Sequence, residues 1–217
     1  MTEDAQAIST DFTVEFKTGR IEALSDGIFA IAMTILILSF EVLFNANPGH
    51  PSESAVRKML FDLWPDFIYY VLGFIILSIF WIEHHSQFHF IKRTDIKLLF
   101  INIFGLMSVA IIPFTTVMVG DYNYTRVGAL LFETSLFVTG MTFFVHWMYA
   151  VGNCRLVDAC VPREVIVFYR NKNLLIPVVS LLAAAVSFFI DPAAGTGLYF
   201  VVPILLPLFK IRRAKSS

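Results

Sequence analysis

Six predominantly apolar stretches, most of them close to twenty residues long, divide this chain and leave few folds open to it. A hydrocarbon core about 30 Å thick takes roughly 20 helical residues to cross, and inside it every backbone N–H and C=O must find a partner within the protein. The stretches run from 20 to 42, 65 to 90, 97 to 119, 126 to 150, 172 to 190 and 194 to 209. This spacing predicts an all-α integral membrane protein with six transmembrane helices in a single domain over residues 1–217, flanked by a short N-terminus (1–19) and a basic tail (210–217). Composition agrees, because 57% of residues are hydrophobic, 23 are Phe and only 15% are charged, where a soluble domain carries about a quarter. Pro113 and Pro177 fall inside the third and fifth stretches, and the sixth is short and holds Pro203 and Pro207. Membrane helices accept such prolines when neighbours satisfy the freed backbone groups.

The start of the chain, MTEDAQAISTDFTVEF, is acidic and polar and lacks the basic n-region of a signal peptide. The first apolar stretch is therefore expected to remain as a helix. The formal net charge of −1, from 16 basic and 17 acidic residues, gives no nucleic-acid surface. An even number of spans places both termini on one side. Only Arg57, Lys58 and Arg126 fall on the opposite side, leaving 13 of the 16 basic residues with the termini, so the positive-inside rule puts both termini in the cytoplasm.

Between the first two spans, SESAVRKMLFDL places Val56, Met59, Leu60 and Leu63 on one face of a short helix behind a Ser52 cap, as expected of a segment lying on the outer interface. Cys154 and Cys160 fall in or near a cytoplasmic loop, where no disulfide is expected, and their spacing makes no metal motif. The chain has no phosphate-binding loop, no nucleophile elbow, no H-E-x-x-H and no T-V-G-Y-G filter. No enzyme chemistry or cofactor is expected, and function must be built from polar groups within the bundle.

Asp26 is the first of these. It lies six residues beyond Arg20, about 9 Å deeper along the helix, and a carboxylate at that depth requires partners. Arg20 is about 240° away around the helix, so the partners must come from other spans. The second span runs toward the cytoplasm and carries His84 and His85 about 8 Å inside its end, with Trp81 one turn above His85. The third span starts back up and places Asn102 at the same level. Ser25, Asp26, His84 or His85, and Asn102 therefore share one layer, which reads either as a gate or as a hydrogen-bonded network locking three helices. Elsewhere on the first helix, Leu24, Gly27, Ile31, Thr34 and Leu38 repeat every three to four residues along one seam. Such a seam serves as a helix-packing stripe or as a pore wall, and periodicity does not decide between them.

The stretch RIEALSD resembles the R-x-x-x-F-S-D signature that opens the first helix of the transmembrane-protein-175 family of potassium channels, with Arg20, Ser25 and Asp26 in register and Leu24 in place of the signature Phe. WIEHHSQFHFIKRTD and LLFINIFGLMSVAIIPF are similar to that family's second-helix end and third helix, so the likeness covers residues 20 to 120. The resemblance implies a potassium-selective cation channel in which first helices from four repeats line a central pore without a pore loop. A single six-helix repeat resembles the prokaryotic members, which implies a homotetramer in a bacterial plasma membrane. Carried over by position, Ile31 is the implied constriction, with Thr34, Ile35 and Leu38 on the turns above and potassium passing transiently near the Thr34 hydroxyls. Arg20, Ser25, Asp26, Trp81, His84, His85 and Asn102 then form a structural network behind the pore helix. Two other readings use the same residues: a proton-coupled transporter built on Asp26, Glu133 and the membrane histidines, and a metal site on His85 and His89 joined by His146.

Overall fold

The computed structural model describes residues 18–40, 52–122, 124–154, 156–157 and 161–206. The expected tail (210–217), residues 1–17 of the expected N-terminus and the last two residues of the first expected span, 41 and 42, lie outside the described residues. Among the described residues, five helices are long and apolar enough to cross a membrane. Helix α1 (Thr18–Ile35) continues as a 3-10 turn over Leu36–Phe40. After α2 (Glu53–Asp62) come α3 (Trp64–Phe90), α4 (Ile96–Asp121), α5 (Arg126–Val151) and α6 (Arg163–Phe189).

The helix starts follow from local chemistry. Backbone N–H groups orphaned at a helix N-terminus need a side-chain acceptor. Ser52 accepts from the Ala55 N–H, Asp95 from Leu98 and Thr125 from Gly128. The Asp95 carboxylate also receives the Tyr149 hydroxyl at 2.7 Å, which ties the foot of α4 to the end of α5. Beyond α5, the Leu156 carbonyl accepts from the N–H groups of Lys92 and Arg93, so this connection is fastened to the α3–α4 turn.

Three features depart from the expectations. Helix α6 begins at Arg163, nine residues before the expected span, because its first turns (REVIVFYRNKN) are too polar to register as apolar. Arg163, Arg170 and Lys172 are thus helical rather than parts of a loop. At 27 residues the helix is about 40 Å long, longer than the hydrocarbon core. The expected sixth span is broken: α7 (Pro192–Gly197) passes through a 3-10 turn at Leu198–Val201 into α8 (Val202–Leu205). Pro203 sits in the first turn of α8, where no backbone N–H is required. This stretch is shorter than the five spanning helices, and residues 207–209 of the expected span lie outside the described residues. Finally, Cys154 is disulfide-bonded, against the expectation of free thiols.

A core of Phe29 and Ala32 from α1, Leu36 from the 3-10 turn that continues it, Leu72, Ile76 and Phe80 from α3, Leu106 and Val109 from α4, and Phe132 and Phe143 from α5 joins the bundle. In lipid the apolar side chains gain little from leaving one hydrocarbon phase for another, so close packing through small residues matters more. Gly140 shows this most directly, since a Cβ there would lie 2.7 Å from Cδ of Pro177, where α5 meets α6. The proline ring cannot move aside as a flexible side chain would. Gly140→Ala is expected to destabilise the protein by about 1–3 kcal/mol through overpacking. Thermal melting in detergent checks this, and an unchanged midpoint would mean that the two helices separate easily.

Candidate functional site

Helix α1 has two contrasting faces. Ile21, Ser25, Phe29, Ala32 and Leu36 are buried against the bundle, a 3.6-residue repeat with Ser25 as its one polar member. The Ser25 hydroxyl donates to the Ile21 carbonyl at 2.9 Å and accepts from Nδ2 of Asn102 at 3.5 Å. Oδ1 of Asn102 lies 2.8 Å from Nε2 of His84. Because that amide oxygen can only accept, Nε2 of His84 carries the proton. The His84 ring is enclosed by Phe88, Phe143 and Phe29. Three buried groups on α1, α4 and α3 thus form one chain.

Asp26 is held separately. Its Oδ1 accepts from the indole N–H of Trp81 at 2.8 Å, and His85 stacks on the same indole with ring centroids 5.8 Å apart. His84 rather than His85 therefore hydrogen-bonds within the layer. Arg20 is exposed and has no hydrogen-bond or ion-pair partner among the described residues.

The layer extends further than the sequence suggested. Gln87 donates to the Phe143 carbonyl at 3.2 Å, and its Oε1 lies 2.7 Å from Nδ1 of His146. Glu83 forms an ion pair with Lys172 of α6. A single turn of α3, residues 83–87, is consequently linked to α4, α5 and α6, and through Asn102 to Ser25 of α1. The available signal was Glu83, His84 and Gln87 occurring within one turn of a span, since lone polar groups at such depth need partners on other helices.

The other face of α1 is uncovered. Leu24, Ile31, Ile35 and Leu38 are 49%, 59%, 45% and 56% exposed, and Gly27 and Thr34 are exposed beside them. The Thr34 hydroxyl donates to the Ile31 carbonyl at 2.9 Å, leaving its oxygen lone pairs outward. Beside this seam, an apolar groove of about 330 Å³ runs between α1 and α4, lined by Leu24, Ile28, Ile31, Ala32 and Ile35 against Ile103, Leu106, Met107 and Ala110.

The residues of the other two readings are not brought together. Glu133 is buried and its Oε1 accepts from Ser187 of α6, whereas Asp26 is bonded to Trp81. His85 and His89 are exposed, while His146 is buried and faces His84 and Gln87. Among the described residues no group of three His, Cys, Asp or Glu side chains is placed to hold a metal ion.

This arrangement defines a multi-pass helical membrane protein whose first helix is braced on one face by a polar layer and open on the other. The sequence profile of the family described as the endosomal/lysosomal potassium channel TMEM175 matches residues 20–113. A potassium channel of Streptomyces collinus is 33% identical over 146 residues, covering 65% of this chain and 68% of that relative. A potassium channel of Chamaesiphon minutus is 31% identical over 197 residues, covering 88% of this chain and 94% of that one. Among solved structures, a lysosomal potassium-selective channel TMEM175 homolog from Chamaesiphon minutus superposes with a TM-score of 0.71 at 29% identity, covering 88% of this chain and 96% of that chain. The chain belongs to the TMEM175 family.

Proposed function

We propose that the protein is a potassium channel of a bacterial plasma membrane, conducting passively through a pore walled by α1 helices from four copies of the chain. The observation that carries this reading is the division of α1 into a buried, hydrogen-bonded face and an uncovered seam of Leu24, Gly27, Ile31, Thr34 and Leu38. Four Ile31 side chains form an apolar ring that stays dry and closed, and a small rotation or splaying of the helices wets it. Four Thr34 hydroxyls, one turn away, supply oxygen ligands to a partly dehydrated potassium ion. Ile35 and Leu38 continue the wall toward the outside. The broken α7–α8 segment contributes to a sixth crossing, which keeps both termini in the cytoplasm.

In this reading the Ser25–Asn102–His84 chain and the Trp81–Asp26 bond hold each pore helix at a fixed rotation, and no step requires an enzyme or cofactor. The names of the relatives and the separate partners of Asp26 and Glu133 favour a channel over proton-coupled transport.

Potassium flux from proteoliposomes, with Thr34→Ala and Thr34→Ser in parallel, tests the assignment. Wild type should pass ions down their gradient and prefer potassium to sodium. Thr34→Ala should lose several-fold of that preference, because the ring of oxygens is gone, and Thr34→Ser should keep most of it. Equal selectivity in all three would remove Thr34 from the ion path, and flux that depends on a proton gradient would remove the channel.

A further inference from the structure

The ion pair between α3 and α6 leaves part of its chemistry unfinished. Lys172 is paired with Oε1 of Glu83, but Oε2 of Glu83 and both polar atoms of the Asn173 amide are buried with no hydrogen-bond partner. Glu83 and Asn173 are only 5% and 6% exposed, so bulk solvent does not satisfy them. Buried polar groups without a protein partner are the usual seats of ordered water. Glu83, Lys172 and Asn173 also line one small cavity, walled otherwise by apolar side chains including Phe80, Phe143 and Ile176. Its room for a water-sized sphere is about 10 Å³, close to what a single water occupies.

We infer that Glu83, Lys172 and Asn173 hold one ordered water molecule between α3 and α6. The water donates to Oε2 of Glu83 and accepts from the Asn173 amide, and the ammonium of Lys172, with donors beyond the one used on Oε1, lies beside it. The Lys172 side chain is 17% exposed, which gives the site a route of exchange. The sequence carries the pattern as Glu83 on one span and adjacent Lys172 and Asn173 on another, and nothing in the pore assignment uses them. The inference rests on α3, α5 and α6 and is independent of what α1 conducts.

Radiolytic hydroxyl labelling of the intact protein in detergent tests it, because radicals formed from a bound water label the side chains around it. Phe143 and Ile176 should be modified several-fold faster than Phe132 and Ile112, which are also buried but do not line this cavity. Rates equal to those of Phe132 and Ile112 would show the cavity to be dry and overturn the assignment. Asn173→Leu gives a second reading of opposite sign for the two cases. If the water is present, the variant strands Glu83, lowers the melting temperature and abolishes the labelling. If the amide is instead orphaned in a dry cavity, the leucine removes an unsatisfied group and raises the melting temperature, against the inference. Should the variant not fold, the wild-type labelling ratio decides alone.

Discussion

Ile31→Asn is expected to produce a channel that leaks at rest, with potassium flux raised manyfold over wild type in proteoliposomes. An apolar constriction closes by excluding water rather than by physical occlusion, so one amide per subunit is enough to keep the ring wet. The structure makes this a clean substitution. Ile31 is 59% exposed, whereas its neighbours Phe29 and Ala32 are buried, so the change leaves the buried face of α1 in place. Ile31→Leu preserves the apolar character and should remain tight. Single-channel recording or tracer efflux distinguishes the two. If Ile31→Asn folds, assembles and conducts no more than wild type, the closing ring lies elsewhere on the chain.

The second large effect is expected at Asn102, where Asn102→Leu should lower stability by about 1–2 kcal/mol, the upper range for hydrogen bonds between membrane helices. The side chain joins Ser25 of α1 to His84 of α3. A leucine fills the space but leaves Nε2 of His84 buried without a partner, and an unsatisfied buried donor costs more than the bond it replaced. Ser25→Ala should cost less, since Ser25 already donates to the Ile21 carbonyl and the Asn102 contact is long at 3.5 Å. The double variant should cost less than the sum of the two singles, because both remove the same link. Strict additivity in melting would mean that the layer is a set of unconnected contacts. Asp26→Asn offers a contrast, as its carbonyl can still accept from Trp81, and its loss should be smaller than that at Asn102.

Which of these elements could be read in advance depended on the kind of information each needed. Four of the spans are legible within a few residues, because an apolar run long enough to cross a bilayer has no alternative in water. Depth was legible too, and counting 1.5 Å per residue from the ends of two antiparallel spans brings Ser25, His84 and Asn102 to one level. Direction around the helix was not. Helix α3 is apolar on nearly every face, so periodicity gives no reason to turn His84 inward and His85 outward, and only packing against Phe29, Phe88 and Phe143 does so. The start of α6 was hidden for a related reason. Its polar first turns read as loop until Lys172 is seen to meet Glu83 inside the bundle. Trp81 lies one turn above His85 and stacks on it, but its bond to Asp26 depends on a crossing of α1 and α3 that no single segment encodes. Gly140 against Pro177 is likewise invisible until two helices are brought together.

The Thr34 hydroxyl points to one more consequence. Its hydrogen is committed to the Ile31 carbonyl, so the group cannot turn to offer a proton outward without breaking that bond. In a pore walled by this seam, a passing ion meets oxygen lone pairs and no donor. A chloride ion needs donors to replace its lost hydration, and a cation needs acceptors. In the proposed pore, an uncharged side chain oriented by its own backbone would therefore reject anions before any question of one cation against another arises.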